Sequence, residues 1–140
     1  MSSLSAINAD LHCHSVVSDG TLTPEELAQR AYANGVKLWS LTDHNELGGQ
    51  ERAKEAAAAL NMNYLAGVEI SVTWRSRTIH MLGLNFDPNN QNLIKGLERI
   101  REGRIERAKK IAYGLAMVGI PNALPSGATI STSLPSGWAH

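Results

Sequence analysis

The chain has 140 residues, with 13 basic and 13 acidic side chains, 5 histidines and a single cysteine. That size suits one domain or a piece of one, the lone cysteine excludes an intrachain disulfide, and no run approaches the ~18 apolar residues of a membrane span. With 43% apolar residues and no net charge, it reads as a globular protein rather than a disordered tail or a general nucleic-acid coat.

The first residues, MSSLSAINADLHCH, have no basic start and no long apolar run, so a cytoplasmic protein without a secretory leader is expected. Ile7–His12 predicts a strand, followed by the polar loop SVVSDGTL. Thr23-Pro24-Glu25-Glu26 predicts a helix start, with Thr23 as N-cap, Pro24 in the first turn and Glu26 closing a capping box. Leu27, Ala28, Ala31 and Tyr32 share one face of that helix, and Asn34-Gly35 stops it. Val36–Thr42 predicts a second strand, and the alanine-rich stretch Gln50–Leu60 a second helix. Tyr64–Val72 predicts a third strand and Thr78–Leu84 a fourth, antiparallel to it across the turn Trp74-Arg75-Ser76-Arg77. Asp87-Pro88-Asn89-Asn90 opens a long helix running to about Val118. The β-α-β-α-β order implies parallel strands with crossover helices, a design in which function gathers at the carboxyl ends of strands.

Charge is unevenly placed. Residues 1–94 hold 6 basic and 10 acidic side chains, and residues 95–110 hold 7 and 3. From Ile111 to His140 there is no Asp, Glu, Lys or Arg. The domain is therefore assigned to residues 1–122, including a basic helical segment, 89–118, and residues 123–140 form an uncharged irregular tail. On the basic helix Ile100, Ile105, Ile111 and Leu115 are expected inward. Arg101 and Arg104 share a face and offer a positive flank to polyanionic nucleotides.

Four histidines and several carboxylates fall at or near strand ends. His12 and His14 follow the first strand, Asp19 lies in the next loop, Asp43 and His44 close the second strand, Glu69 lies in the third and His80 in the fourth. Residues two apart on a strand point the same way, so His12 and His14 can reach one ion together. Imidazole nitrogen and carboxylate oxygen suit zinc, manganese and iron, and the carboxylates also accept magnesium. Asp43 reads as an outer residue orienting a ligand or a water, or equally as a cap of the following turn. Arg75 and Arg77 could reach a phosphate from their turn. Cys13, between two candidate ligands, is expected to point the other way as a small buried group, and Trp39 and Trp74 to serve core and rim packing.

The stretch ADLHCHSVVSDGTLTPEELAQRA resembles the first motif of the PHP (polymerase and histidinol phosphatase) family, LTDHNELGG its second, and GVEIS with IHMLGL its next block, in the family's order. The branch it is most similar to comprises small bacterial phosphoesterases acting on 3′,5′-nucleoside bisphosphates and the 5′ ends of short RNA. The resemblance implies an α/β fold, the N-terminal portion of a distorted (β/α)7 barrel, with two or three divalent metal ions (Mn, Zn, Fe or Mg) at its C-terminal rim. It implies that His12 and His14 bind one ion with Glu69, that Glu69 bridges to a second ion held by His80, and that Asp19 and His44 hold the third. The activity implied is hydrolysis of nucleotide phosphate esters by a metal-activated hydroxide. The partner implied is a nucleotide or short RNA substrate, with no membrane and no stable nucleic-acid complex.

The family's later motifs, a further histidine and a G-S-D-x-H-like block, do not occur in this sequence. A truncated chain is therefore an expectation, and with it two other readings: an inactive half-barrel that binds metal weakly, or a PHP module kept for structure or partner binding.

Overall fold

Three short parallel strands, β1 (Ala9–Asp10), β2 (Leu38–Trp39) and β3 (Asn63–Tyr64), lie side by side in that order in the structure, a computed structural model that describes residues 6–123. The tail expected over 123–140 falls outside the described residues except for Ala123. The chain divides into two units, Met1–Arg101 and Glu102–His140.

Helices make the crossovers of the first unit, α1 (Pro24–Ala33) and α2 (Gln50–Ala59). The capping box forms as read: Glu26 N–H donates to Thr23 Oγ1 at 3.2 Å, and Thr23 N–H to the Glu26 carboxylate at 2.8 Å. Gly35, at φ 77°, supplies the left-handed residue that ends α1. Ala28 and Ala31 turn to the core while Tyr32 stays half exposed. With Val36, Trp39, Leu41, Ala53, Ala57 and Met62 they form the buried cluster between helices and sheet. The alanines let both helices approach closely, and the Trp39 ring fills the space they leave.

The strands are shorter than their apolar runs. Past Trp39 the chain still runs beside the exit of β1, with Ser40 N–H donating to Asp10 O at 3.0 Å and Thr42 N–H to Cys13 O at 2.9 Å, but without a regular ladder. The predicted third strand splits in two, β3 and β4 (Gly67–Trp74). The reason is Gln50, buried at the start of α2. Its amide donates to Leu41 O at 3.0 Å and to Gly67 O at 2.8 Å, and accepts from Gly67 N–H at 3.2 Å and Tyr64 Oη–H at 2.8 Å. A side chain thus takes the place of a ladder rung where the chain leaves the first sheet. Gly67 is obligatory at that crossing, since a Cβ there would stand 2.1 Å from Ser40 Oγ.

β4 pairs antiparallel with β5 (Arg77–Leu84), setting Glu69 opposite Leu82, Ser71 opposite His80 and Trp74 opposite Arg77. Past Gly67, β4 is tied to the exit of β2. Glu69 N–H donates to Asp43 O at 3.2 Å, Asn45 N–H to Glu69 O at 2.9 Å, and Ser71 N–H to Asn45 Oδ1 at 2.9 Å.

The long helix is α3 (Gln91–Met117), opened by Asn90, whose side chain accepts from the Asn92 and Leu93 amides. Leu97 is buried in the first unit. The expected inward face fails in the second unit, where Ile105 and Ile111 are exposed because nothing within that unit covers them. Among the described residues no helix is long and apolar enough to cross a membrane.

Candidate metal centre

Four imidazoles gather around one carboxylate. Glu69, buried in β4, has Oε2 2.8 Å from His12 Nε2, 3.0 Å from His14 Nε2 and 3.8 Å from His44 Nδ1; its Oε1 lies 3.1 Å from His80 Nδ1. Asp19 approaches from the loop after β1, with one oxygen 3.7 Å from His14 Nδ1 and the other 3.5 Å from His44 Nε2. The ligand atoms form three overlapping triads, His12/His14/Glu69, His14/Asp19/His44 and His44/Glu69/His80, each with its atoms within 4.8 Å of one another.

Local structure explains the convergence. His12 and His14 sit in the extended exit of β1, two apart. The parallel bridge between His44 and Glu69 sets those two side by side, and His80 arrives across the hairpin from Ser71, whose Oγ lies 3.1 Å from its Nδ1. The loop carrying Asp19 folds back through Gly20, whose N–H donates to Ser15 O at 2.8 Å. A Cβ at Gly20 would stand 2.1 Å from His14 O.

Burial opposes the charge on Glu69, but the hydrogen bond from His12 and the imidazoles of His44, His12 and His14 outweigh it and hold this carboxyl below the usual glutamate range. The Nδ1 atoms of His14 and His44 are buried with no hydrogen-bond partner, and His12 Nε2 and His14 Nε2 lie 3.1 Å apart. Lone pairs left over and aimed at one another are what a cation organises, so the donor set fits divalent metal.

Asp43 takes no part in the triads. Buried, it accepts from Ser15 N–H at 2.7 Å, Ser15 Oγ–H at 2.7 Å and Ser18 Oγ–H at 2.8 Å, and so clamps the loop between His14 and Asp19. The alternative capping role does not appear: all three of these hydrogen bonds come from Ser15 and Ser18, the serines that hold the loop carrying His14 and Asp19. Cys13 points into the core as expected, accepting from Trp39 Nε1–H at 3.3 Å, and burial pushes its thiol up to about 11.

The arginines separate. Arg101 donates to the carbonyl of Asn45, the residue after His44, at 2.5 Å and lies 3.5 Å from Glu46. Arg104 is exposed in the second unit. Arg75 is at the hairpin tip, its guanidinium 4.5 Å above the Trp74 ring, and Arg77 pairs with Trp74 on the face of the hairpin away from Glu69 and His80. Trp74 is not packed at a rim, being 58% exposed. Sequence reading missed Ser15, Ser18, Asn45 and Gln50. Only Ser15 and Ser18 carried a local signal, their place in the S-V-V-S-D-G loop.

The fold and the clustered donors define an α/β protein built around a multi-histidine centre at its strand ends. The chain belongs to the PHP domain family, whose model matches residues 10–115. It is 48% identical over 113 residues to a 3′,5′-nucleoside bisphosphate phosphatase of Chromobacterium violaceum, a match covering 81% of this chain and 40% of that protein. A 5′-3′ exoribonuclease of Haemophilus influenzae is 45% identical over 114 residues, covering 81% of this chain and 42% of that one. Among solved structures, an amidohydrolase from Chromobacterium violaceum with bound sulfate and no metal superposes with a TM-score of 0.74 at 47% identity, over 81% of this chain and 40% of that one. The mixed α/β fold is consistent with the N-terminal portion of a PHP-type barrel, and the chain spans about two fifths of the length of these curated relatives.

Proposed function

We propose that this chain carries the metal-holding part of a phosphoesterase that hydrolyses phosphate esters of nucleotides, with 3′,5′-nucleoside bisphosphates or the 5′ ends of short RNA as substrates. The observation that carries the reading is the convergence of four imidazoles on Glu69. His12 and His14 would hold one ion with Glu69, His44 and His80 a second through the same carboxylate, and Asp19 with His44 and His14 a third. A carboxylate spanning two cations offsets part of their repulsion, which four neutral imidazoles cannot do. The nitrogen-rich set favours manganese, iron or zinc over magnesium. Such ions, when bound, lower the pKa of a coordinated water and neutralise phosphate charge. The chain's own residues fix the geometry: Asp43 holds the His14–Asp19 loop, and Arg101, paired with Glu46, holds the Asn45 carbonyl next to His44. A nucleotide substrate accords with work in the cytoplasm.

The relatives' names support the substrate class, and the second reading is metal binding without turnover. Phosphate release from adenosine 3′,5′-bisphosphate with manganese, compared between this chain and His12→Ala, separates the two. Turnover that falls roughly 100-fold or more in the variant supports the enzyme. Soluble, folded, metal-binding protein that releases no phosphate overturns it and leaves the second reading.

A further inference from the structure

The tip of the β4–β5 hairpin combines an aromatic face with unopposed positive charge. Trp74 is 58% exposed, and the Arg75 guanidinium lies 4.5 Å from its ring centroid. Arg77 sits directly opposite in the register. No carboxylate occurs in sequence between Glu69 and Asp87. Among the described residues neither Arg75 nor Arg77 has an acidic side chain within ion-pair distance; the arginine pairs are Arg52 with Glu25 and Arg101 with Glu46. The turn is itself costly: Arg75 and Ser76 both adopt left-handed backbone, at φ 47° and 62°, where such two-residue hairpin loops favour Asn-Gly. Two non-glycine residues are held there against their backbone preference, and an arginine stands at the end of the ribbon.

We propose that this tip is a docking platform for single-stranded RNA, with one base stacked on Trp74 and the adjacent phosphates met by Arg75 and Arg77. Every base has a π face and every nucleotide a phosphate, so an exposed indole flanked by guanidiniums recognises a single strand without reading its sequence. The platform rests on the phosphoesterase reading and deepens it, because Trp74 lies on the strand that carries Glu69. Trp74 is five positions beyond Glu69, roughly 17 Å along an extended strand. A mononucleotide held at the histidine cluster does not reach the tip, whereas an oligonucleotide does. The pleat puts Trp74 and Arg77 on the face opposite Glu69 and His80, so a strand held at both places crosses the ribbon at its end, where Arg75 stands. The surface therefore selects the longer substrate, and the complex it forms is weak and salt-sensitive, in keeping with the expectation of no stable nucleic-acid complex.

The test is a fluorescence-anisotropy titration of a labelled short oligoribonucleotide against the full chain in EDTA, which prevents cleavage, at two salt concentrations. Trp74→Ala is expected to weaken binding roughly ten-fold and Trp74→Phe to restore most of it. Arg75→Ala/Arg77→Ala should flatten the salt dependence by about two phosphate contacts. Hydrolysis of adenosine 3′,5′-bisphosphate should stay unchanged in all three. Absence of binding by the wild type, affinities within two-fold for every variant, or equal binding of duplex RNA would each overturn the platform. Wild-type protein that binds the strand through Trp74 yet releases no phosphate sinks the phosphoesterase reading alone.

Discussion

Asp43 shows how much a single side chain here does by holding others. Its carboxylate is buried and takes three hydrogen bonds from two serines of the loop that delivers His14 and Asp19. Asp43→Ala leaves the Ser15 amide and hydroxyl buried without an acceptor, at a cost of about 3 kcal/mol. Urea unfolding in EDTA reads that loss free of any metal effect; a change below about 1 kcal/mol would mean the loop is held some other way. Gly20→Ala strikes the same loop by sterics, since its Cβ meets the His14 carbonyl at 2.1 Å. The His-Asp-Glu constellation was legible in the sequence because strand ends are where such folds collect function and because H-x-H places two rings on one side. The serine clamp was not: a hydrogen bond between residues 28 apart leaves no local pattern.

At the scale of elements, capping chemistry and alanine spacing announced both crossover helices, and the alternation of apolar runs announced the parallel strands. The division of the third strand was hidden for a definite reason. Gln50 reads as the first residue of a helix, yet its amide stands in for backbone between Leu41 and Gly67 and also takes the Tyr64 hydroxyl. Burial pushes the Tyr64 phenol above the usual tyrosine range, so the fold holds it protonated. The sign follows from that direction. Stability from the neutral phenol is complete below the ordinary tyrosine value, near 10, and is lost as pH rises above it. Alkaline denaturation of wild type should therefore steepen above about pH 10 relative to Tyr64→Phe, followed by far-ultraviolet circular dichroism. Parallel curves for the two proteins would show that the phenol carries no such linkage.

For the whole first unit, the histidine cluster joins segments that lie far apart in the sequence. Its donors come from the exit of β1, the loop after it, the exit of β2, and both strands of the hairpin, so residues from His12 to His80 meet at one place. Among the described residues the hydrophobic cluster lies between α1, α2 and the short sheet, and the hairpin stays largely exposed, with Trp74, Ile79, Met81 and Leu82 open to solvent. An ion that ligates both regions would cross-link the hairpin to the sheet, and its binding free energy would become folding free energy. Manganese at a hundred times its dissociation constant should add about 2.7 kcal/mol, which for a chain of this size raises the thermal midpoint by roughly 6–10 °C. Glu69→Gln keeps the shape of the side chain but removes the charge two of the three triads share, so the shift should disappear in that variant while its metal-free midpoint stays measurable. Differential scanning fluorimetry with manganese and with EDTA gives both numbers. Equal shifts in wild type and Glu69→Gln would place the ion elsewhere on the chain and leave the four imidazoles around Glu69 without a metal to organise them.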